Sequence, residues 1–338
     1  MANTANTADT ARTVHTTAKP EAPAETRKVT PPSAHRRKRR RRAAWADGHA
    51  RTIVSPLELK SRWGTRIYWA VLAAVLSVFT LVFVFPLYWM VTGAMKSGEE
   101  IAQMPPTLWP ENPDFSVFSD AWELFDIGTL LQNTLYYAVG AWLFTLAVDV
   151  TAAYALSKLR PMFGNAILGA MLATLMIPPI VVMIPAYVTV TDVPIFGWQL
   201  LNSPWAIWFP VAANGFNIFL LKRFFDSIPD EILEAAEIDG VPPWRVLVSI
   251  ILPISRPILG VVSIFTIVMV FKDFLWPLLV LPDSEKMTLS VGLSQTAGAV
   301  SQNQIMAGLV IASIPMIIVF FFFQRSIMAG LTAGSLKG

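Results

Sequence analysis

Long apolar runs constrain this chain more strongly than any other feature of its sequence. A helix needs about 20 apolar residues to cross the hydrocarbon core of a bilayer, and runs of about that length recur between residues 67 and 327. Because unpaired backbone groups are too costly in lipid, segments that cross it are expected to be helical. Prolines in the third run predict a kink or an unwound turn there. The predicted spans are residues 67–92, 134–156, 165–190, 204–221, 257–281 and 305–327.

The composition places the chain among integral membrane proteins. Charged residues make up 14% of it, compared with about 25% in a soluble domain, and the mean hydropathy is +0.53. The sequence has no cysteine and three histidines, which excludes disulfides and thiol chemistry and leaves little for a metal site. A membrane enzyme or scaffold is disfavoured, because no cluster of histidine, serine or carboxylate residues stands out. The predicted fold class is an all-α integral membrane protein with six transmembrane helices.

The charges of the connecting segments predict the orientation of these helices. Connections that stay in the cytoplasm carry an excess of lysine and arginine. Basic residues precede the first span and recur in alternate connections and at the C-terminal end, at Lys158, Arg160, Lys222, Arg223, Arg245, Arg256, Arg325 and Lys337. Both termini are therefore predicted to be cytoplasmic. The opposite connection at 95–133 leans acidic and is rich in proline and tryptophan, and it is either a docking surface for an external protein or a packed cap.

Residues 1–66 differ in composition from the rest of the chain. They are rich in alanine, threonine, proline and charge, with seven consecutive basic residues at 36–42. Such a stretch cannot bury enough apolar surface to fold, so we predict a disordered cytoplasmic tail attracted to anionic membrane lipid. Nucleic-acid binding is the alternative, but no nucleic-acid-binding fold follows, and no nucleic-acid partner is predicted. The transmembrane domain is placed at 67–330, followed by a short cytoplasmic tail at 331–338.

The internal connection at residues 222–256 contains the signals of a short amphipathic helix. Ser227 is a candidate cap, acidic residues follow in the first turn where they suit the positive end of the helix dipole, and Gly240 is the predicted stop. Anionic lipid would repel the acidic side of this helix, so a protein-docking helix is favoured over one that lies among lipid headgroups. The small residues Ala235 and Ala236 are expected to be exposed and to let that protein approach closely.

The same loop resembles a family signature. It reads Glu-Ala-Ala-Glu-Ile-Asp-Gly at 234–240, then nine residues, then Ile-Ile-Leu-Pro at 250–253, which resembles the EAA loop of ATP-binding-cassette importer permeases. Residues 217–221 and 273–278 resemble segments of carbohydrate-uptake permeases. Residues 330–338 resemble the tail of the smaller maltose-permease subunit.

This resemblance implies a type I importer permease fold in the bacterial plasma membrane. It implies partners, namely a homologous second permease, two nucleotide-binding ATPase subunits and an extracytoplasmic solute-binding protein. The chain has no G-x-x-x-x-G-K-[ST] phosphate loop, so no cofactor is expected in it and ATP is expected to bind to the partner subunits. The residues that the resemblance implies for docking on the ATPase are Glu234, Ala235, Ala236, Asp239, Gly240, Ile250, Leu252 and Pro253.

Polar residues within the predicted spans are candidates for the solute pathway, because they are costly to place in lipid. A sugar site combines aromatic faces with a few polar partners, and the candidates are Asn214, Asn217, Asp273 and Trp276. Asp149 and Lys272 depart from the pattern of the resembling family, and their roles stay open. The predicted cargo is a disaccharide or oligosaccharide, with a non-sugar solute such as glycerol phosphate or a polyamine as the alternative.

Overall fold

A computed structural model describes residues 62–335, with side chains for residues 63–325. The basic run at 36–42 and the last three residues lie outside this range. The described residues are helical and contain no β-strand beyond one isolated bridge. The helices are α1 (Arg62–Ala94), α2 (Gly98–Ala102), α3 (Ser116–Leu124), α4 (Ile127–Tyr154), α5 (Gly164–Thr174), α6 (Pro179–Thr191), α7 (Trp205–Val211), α8 (Gly215–Asp226), α9 (Glu231–Ile238), α10 (Pro243–Ile254), α11 (Arg256–Lys272), α12 (Leu275–Val280), α13 (Leu289–Thr296) and α14 (Gln302–Ser335).

One of these helices is continued by a π-helical turn, and another has a π-helical turn within it. The turn Ala155–Leu159 extends α4, and the turn Leu247–Ile251 lies inside α10. The chain divides after Val75 into two units. The described residues of the first unit form the first turns of α1, and the second unit is Leu76–Gly338.

Three described helices are long and apolar enough to cross a membrane, and up to five spans result if each bent helix pair counts as one. The three helices are Trp63–Ala94, Ile127–Leu159 and Gln302–Arg325, and they correspond to the first, second and sixth predicted spans. The bent pairs are Gly164–Thr174 with Pro179–Thr191 at 105° and Pro243–Ile254 with Arg256–Lys272 at 86°.

The break predicted in the third span is confirmed. Helix α5 ends at Thr174, and α6 starts again at Pro179 after a bend of 105°. Proline at the first helical position is well tolerated, because its missing N–H would have no partner there anyway. The bend therefore lies where the adjacent prolines stop one helix and start the next.

The fourth and fifth predicted spans are also interrupted, which hydropathy did not indicate. Between α7 and α8 the side chain of Asn214 accepts hydrogen bonds from the N–H groups of Phe216 and Asn217 at 3.0 and 3.1 Å, and so caps a new helix. Helix α11 ends at Lys272, because Asp273 adopts an extended conformation. Asn and Asp side chains offer the backbone local hydrogen bonds that compete with a continuous helix.

Close packing around α8 depends on one glycine. A Cβ atom at Gly215 would lie 2.8 Å from the carbonyl oxygen of Met171 in α5, so a larger residue would push the two helices apart. On its other side α8 packs against α4, where Ile218, Leu221 and Phe225 are all 0% exposed in one apolar cluster. This cluster positions the 222–256 loop, because it also contains residues of α9 and α10.

Candidate functional site

The helix predicted in the 222–256 loop is present as α9, but it begins later than the sequence indicated. The prediction that Ser227 caps it was wrong. Ser227 ends α8, and its hydroxyl donates a hydrogen bond to the carbonyl of Phe224 at 2.6 Å. The residue before α9 is Asp230, and its carboxylate accepts no hydrogen bond from the N–H groups of α9. Two cations from another part of the chain hold that carboxylate instead.

Asp230 is bound by residues at the end of α4. Lys158 Nζ lies 2.8 Å from Asp230 Oδ1, and Arg160 Nη2 lies 2.8 Å from Asp230 Oδ2. Lys158 also donates a hydrogen bond to the carbonyl of Ile228 at 2.7 Å. The hydrogen bonds from Lys158 and Arg160 hold the pKa of Asp230 below its usual value, because they favour the charged carboxylate. Asp230 is therefore charged at neutral pH, where it pairs with both cations.

Helix α9 ends at the predicted glycine. Gly240 has a φ of +70°, in the left-handed region that residues with a Cβ enter only at a cost. Its N–H donates to the carbonyl of Glu237 at 3.0 Å, and the N–H of Val241 donates to the carbonyl of Ala236 at 2.9 Å. Such a turn satisfies the last carbonyl groups of a helix, and it lets the chain turn away toward α10.

The two sides of α9 differ in exposure. Ala236 is 5% exposed and belongs to the apolar cluster that contains Ile228 and Val246, so the expectation that both alanines are exposed was wrong for Ala236. The buried side packs on the protein because the apolar positions recur at helical spacing. Ile238 is 87% exposed, although it is large and apolar. The exposed side carries Glu234, Ala235, Glu237, Ile238, Asp239 and Gly240.

The second half of the loop motif lies in α10 and is mostly turned toward the protein. Ile250 and Leu252 are partly buried and pack against the same apolar cluster. Pro253 is exposed, close to the point where α10 and α11 meet at 86°. The residues predicted to dock on an ATPase therefore divide into an exposed group on α9 and a group in α10 that packs the loop onto the core.

The walls of two neighbouring cavities include all four candidate pathway residues. The larger has a volume of about 1170 Å³ and lies mainly among α5, α6, α8 and α11, with walls that are mostly apolar and that include Lys272, Asp273 and Trp276. The smaller has a volume of about 290 Å³ and shares several wall residues with the larger. Its polar lining consists of Thr145, Asn214, Asn217 and Thr266.

The candidate pathway residues also hold the helix interruptions together. Asn214 caps α8, and Asn217 is buried beside it at 4% exposure. Asp273 Oδ1 accepts a hydrogen bond from the backbone N–H of Trp276 at 3.3 Å. The indole N–H of Trp276 donates to the carbonyl of Ala206 at 2.9 Å. These side chains thus line the cavities at the points where the helices stop.

Asp149 has a clear structural role that its sequence context did not reveal. It is 0% exposed, and its Oδ1 accepts a hydrogen bond from the backbone N–H of Asn214 at 2.9 Å. A charge inside a predicted span indicated that it needs a partner. That partner is a backbone group freed by the interruption between α7 and α8.

Interrupted helices around a cavity are typical of membrane transport subunits. Residues 150–332 match the family described as binding-protein-dependent transport system inner membrane component. The chain therefore belongs to that family. It is a multi-pass membrane permease of the ABC transporter type, a transport subunit without an ATPase site of its own.

Individual relatives cover most of the chain. The diacetylchitobiose uptake system permease protein NgcG of Streptomyces coelicolor is 29% identical, over 80% of this chain and 90% of that protein. The sn-glycerol-3-phosphate transport system permease protein UgpE of Pectobacterium atrosepticum is 28% identical, over 74% of this chain and 91% of that protein. A chain from the crystal structure of a bacterial ABC transporter involved in the import of the acidic polysaccharide alginate superposes with a TM-score of 0.69 at 28% identity, covering 78% of this chain and 98% of that one.

Proposed function

We propose that this chain forms half of the translocation pathway of an ATP-driven carbohydrate importer. Its membrane domain crosses the bilayer with six segments and has both termini in the cytoplasm. It pairs with a homologous permease, and two nucleotide-binding ATPase subunits and an extracytoplasmic solute-binding protein complete the complex. The observation that carries this proposal is the exposed side of α9, which Asp230 holds in a fixed position on the protein.

The exposed side of α9 is the proposed docking surface for one ATPase subunit. Glu234, Ala235 and Asp239 offer small and acidic side chains on a short helix, and such a surface permits close helix packing and ion pairs with a basic partner. Ile238, at 87% exposure, would be covered by that partner. Gly240 ends the helix, so the docking surface is short and leaves α10 free to return to the core.

The larger cavity is the proposed solute pathway. Its volume exceeds the roughly 300–1,000 Å³ that is usual for small-molecule sites, so a disaccharide fits within it. Trp276 offers an aromatic face, and Asp273 and Lys272 offer a hydrogen-bond acceptor and donors for sugar hydroxyl groups. The diacetylchitobiose system named for one relative also favours a saccharide cargo.

Uptake of a phosphorylated solute is the second candidate function. A relative is named for sn-glycerol-3-phosphate transport. Lys272 lines the larger cavity, and a lysine ammonium suits a phosphate as well as a hydroxyl group. The two candidates therefore differ in the charge of the cargo rather than in the architecture of the permease.

One purification tests both parts of the proposal. The chain is co-expressed with its genomic partners, and the complex is examined for a second permease and an ATPase. The solute-binding protein is titrated calorimetrically with disaccharides, oligosaccharides, glycerol 3-phosphate and polyamines. Saccharide binding alone supports the carbohydrate assignment, whereas binding of glycerol 3-phosphate or a polyamine overturns it. A purified complex without an ATPase subunit overturns the importer assignment.

A further inference from the structure

Helix α8, which leads into α9, is hydrogen-bonded to α4 and its π-helical turn at both ends. Just before its N-terminal end, the backbone N–H of Asn214 donates to Asp149 Oδ1 at 2.9 Å. At its C-terminal end, the hydroxyl of Ser157 donates to Asp226 Oδ1 at 2.7 Å. The two helices are therefore joined by polar contacts at two points separated by the whole length of α8.

Apolar packing fills the space between these two points. Ile218, Leu221 and Phe225 of α8 are 0% exposed and belong to one cluster with Val150 and Ala153 of α4. Protein interiors are close-packed and transmit displacement rather than absorbing it. We therefore expect α4, its π-helical turn and α8 to move as one body, the α4–α8 pair.

Lys158 extends this connection beyond the end of α8 to the start of α9. Its side chain is 3% exposed. Its ammonium donates to the carbonyl of Ile228 at 2.7 Å and to Asp230 Oδ1 at 2.8 Å. The segment before α9 therefore cannot leave the α4–α8 pair without breaking both of these hydrogen bonds.

The neighbouring cations lack this combination of burial and position. Arg160 binds the other oxygen of Asp230, but its side chain is 67% exposed, and exposed ion pairs contribute little. Lys222 binds Asp226 at 2.8 Å within α8 itself, so it does not join two elements. Lys158 is thus the cation, within the described residues, that joins α4 to the start of α9 through a side chain that is itself buried and through contacts with both Ile228 and Asp230.

The other end of α8 reaches the cavity. Asn214 caps α8 and lines the smaller cavity, next to the interruption that separates α7 from α8. The chain is not helical at that interruption, so it is a place where the backbone can change direction. A displacement applied to α9 would be carried along α8 and would appear at this wall of the cavity.

We propose that Lys158 is a positioning residue that transmits movement of α9 to the α4–α8 pair, and through it to the cavity wall at Asn214. This inference rests on the proposed docking of an ATPase subunit on α9, since that subunit supplies the movement. Rigid-body movement of packed helices is an established form of switching. Lys158 acts through Ile228 and Asp230 and does not contact the solute or ATP.

Matched variants of the complete complex distinguish a loss of transmitted movement from a loss of folding. Lys158→Met removes the ammonium while keeping a long apolar stem in the buried space. Lys222→Met is the matched control, because it removes a cation that binds Asp226 without joining two elements. Lys158→Arg keeps a cation at position 158 and should rescue the function. Retention of the ATPase subunit and the basal rate of ATP hydrolysis are measured for each complex.

The absence of cysteine from the chain permits a reporter that needs no identified solute. Met269 lines both cavities, and Met269→Cys provides a single thiol on this chain. Its labelling rate with a maleimide is compared with and without trapping by ATP and orthovanadate. Trapping is expected to change that rate by about threefold or more, in line with coupling energies along such networks. Lys158→Met should abolish the change, and Lys222→Met and Lys158→Arg should keep it.

The outcomes distinguish this inference from the proposed function. A full change in labelling in Lys158→Met overturns the inference, and so does loss of the ATPase subunit from that complex, since Lys158 would then position docking alone. If Lys158→Met does not accumulate in the membrane, Asp230→Ala is the second variant because it removes the acceptor of the Lys158 hydrogen bond, and an unchanged labelling response there also overturns the inference. A parent complex that lacks an ATPase subunit or does not respond to ATP contradicts the proposed function instead.

Discussion

The 222–256 loop and the cavity region are constructed in different ways. The loop packs onto the apolar cluster and is paired by charge at the start of α9, with Lys158 and Arg160 each 2.8 Å from Asp230. The cavity is surrounded by interrupted apolar helices, where the side chains of Asp149, Asn214 and Asp273 accept hydrogen bonds from backbone N–H groups at the interruptions. A fixed surface suits a partner that docks in one geometry, whereas interrupted helices suit a wall that changes shape. Changes in the loop should therefore uncouple transport, and changes at the cavity should alter stability or solute preference.

The largest effect is expected at the end of α9. Gly240→Glu forces a side chain into a backbone with φ of +70°, at a cost of roughly 1–2 kcal/mol, and adds a charge to the proposed docking surface. We expect transport to be abolished while the subunit remains in the membrane, as measured by solute uptake and membrane fractionation.

Gly240→Asn is the matched control, because asparagine tolerates the left-handed conformation and adds no charge. It should retain most of the uptake. Normal uptake in Gly240→Glu would show that the turn after α9 has no part in coupling and that changes in the loop do not uncouple transport.

Gly215→Ala tests the packing of the cavity region. The new Cβ would lie 2.8 Å from the carbonyl oxygen of Met171, so α5 and α8 must separate. Overpacking of this kind costs about 1–3 kcal/mol, and we expect a lower melting temperature of the purified complex and several-fold lower uptake. Gly169→Ala is the control, because a Cβ there meets nothing within 4 Å. Equal melting temperatures for the two variants would contradict the close contact.

Local signals explain which parts of these regions could be predicted. Gly240 and the prolines that follow it mark the end of α9, and the adjacent prolines of the third span mark its bend, because each acts on its own backbone. The interruption before Gly215 also had a local signal, an Asn-Gly pair that is typical of turns, but the apolar run around it favoured a continuous span.

Long-range contacts explain what the sequence did not reveal. Ser227 was a reasonable cap by residue type, yet α9 starts after Asp230, whose carboxylate is held by Lys158, 72 positions away along the chain. Asp149 was recognisable as a costly charge, but its partner, the N–H of Asn214, lies 65 positions away. Ala236 is buried because Ile228 and Val246 pack beside it. The pairings of Asp230 and Asp149 depend on the tertiary structure and leave no periodic pattern.

Asp273→Asn should have a smaller effect, confined to the cavity. Asparagine can still accept the hydrogen bond from the N–H of Trp276, so the interruption after α11 keeps its cap, while the charge on the cavity wall is lost. We expect the apparent KM for uptake to rise by about threefold, equivalent to one weakened hydrogen bond, with the ATPase subunit still bound. Asp283→Asn is the control, because Asp283 also caps a helical turn but does not line the cavity. Identical uptake kinetics in the two variants would remove Asp273 from the pathway.

The smallest effect is expected from the N-terminal tail, which belongs to neither region. Deletion of residues 1–50 should leave uptake within about twofold, since the tail is predicted to act only through anionic lipid, and the basic residues of the internal connections still favour the same orientation. Replacing the basic residues at 36–42 with glutamine in the full-length chain removes the charge without shortening it. If uptake survives both changes, coupling depends on the loop and the cavity alone. If either change abolishes uptake in a correctly inserted subunit, the tail contributes to transport itself and is a third functional region beside the loop and the cavity.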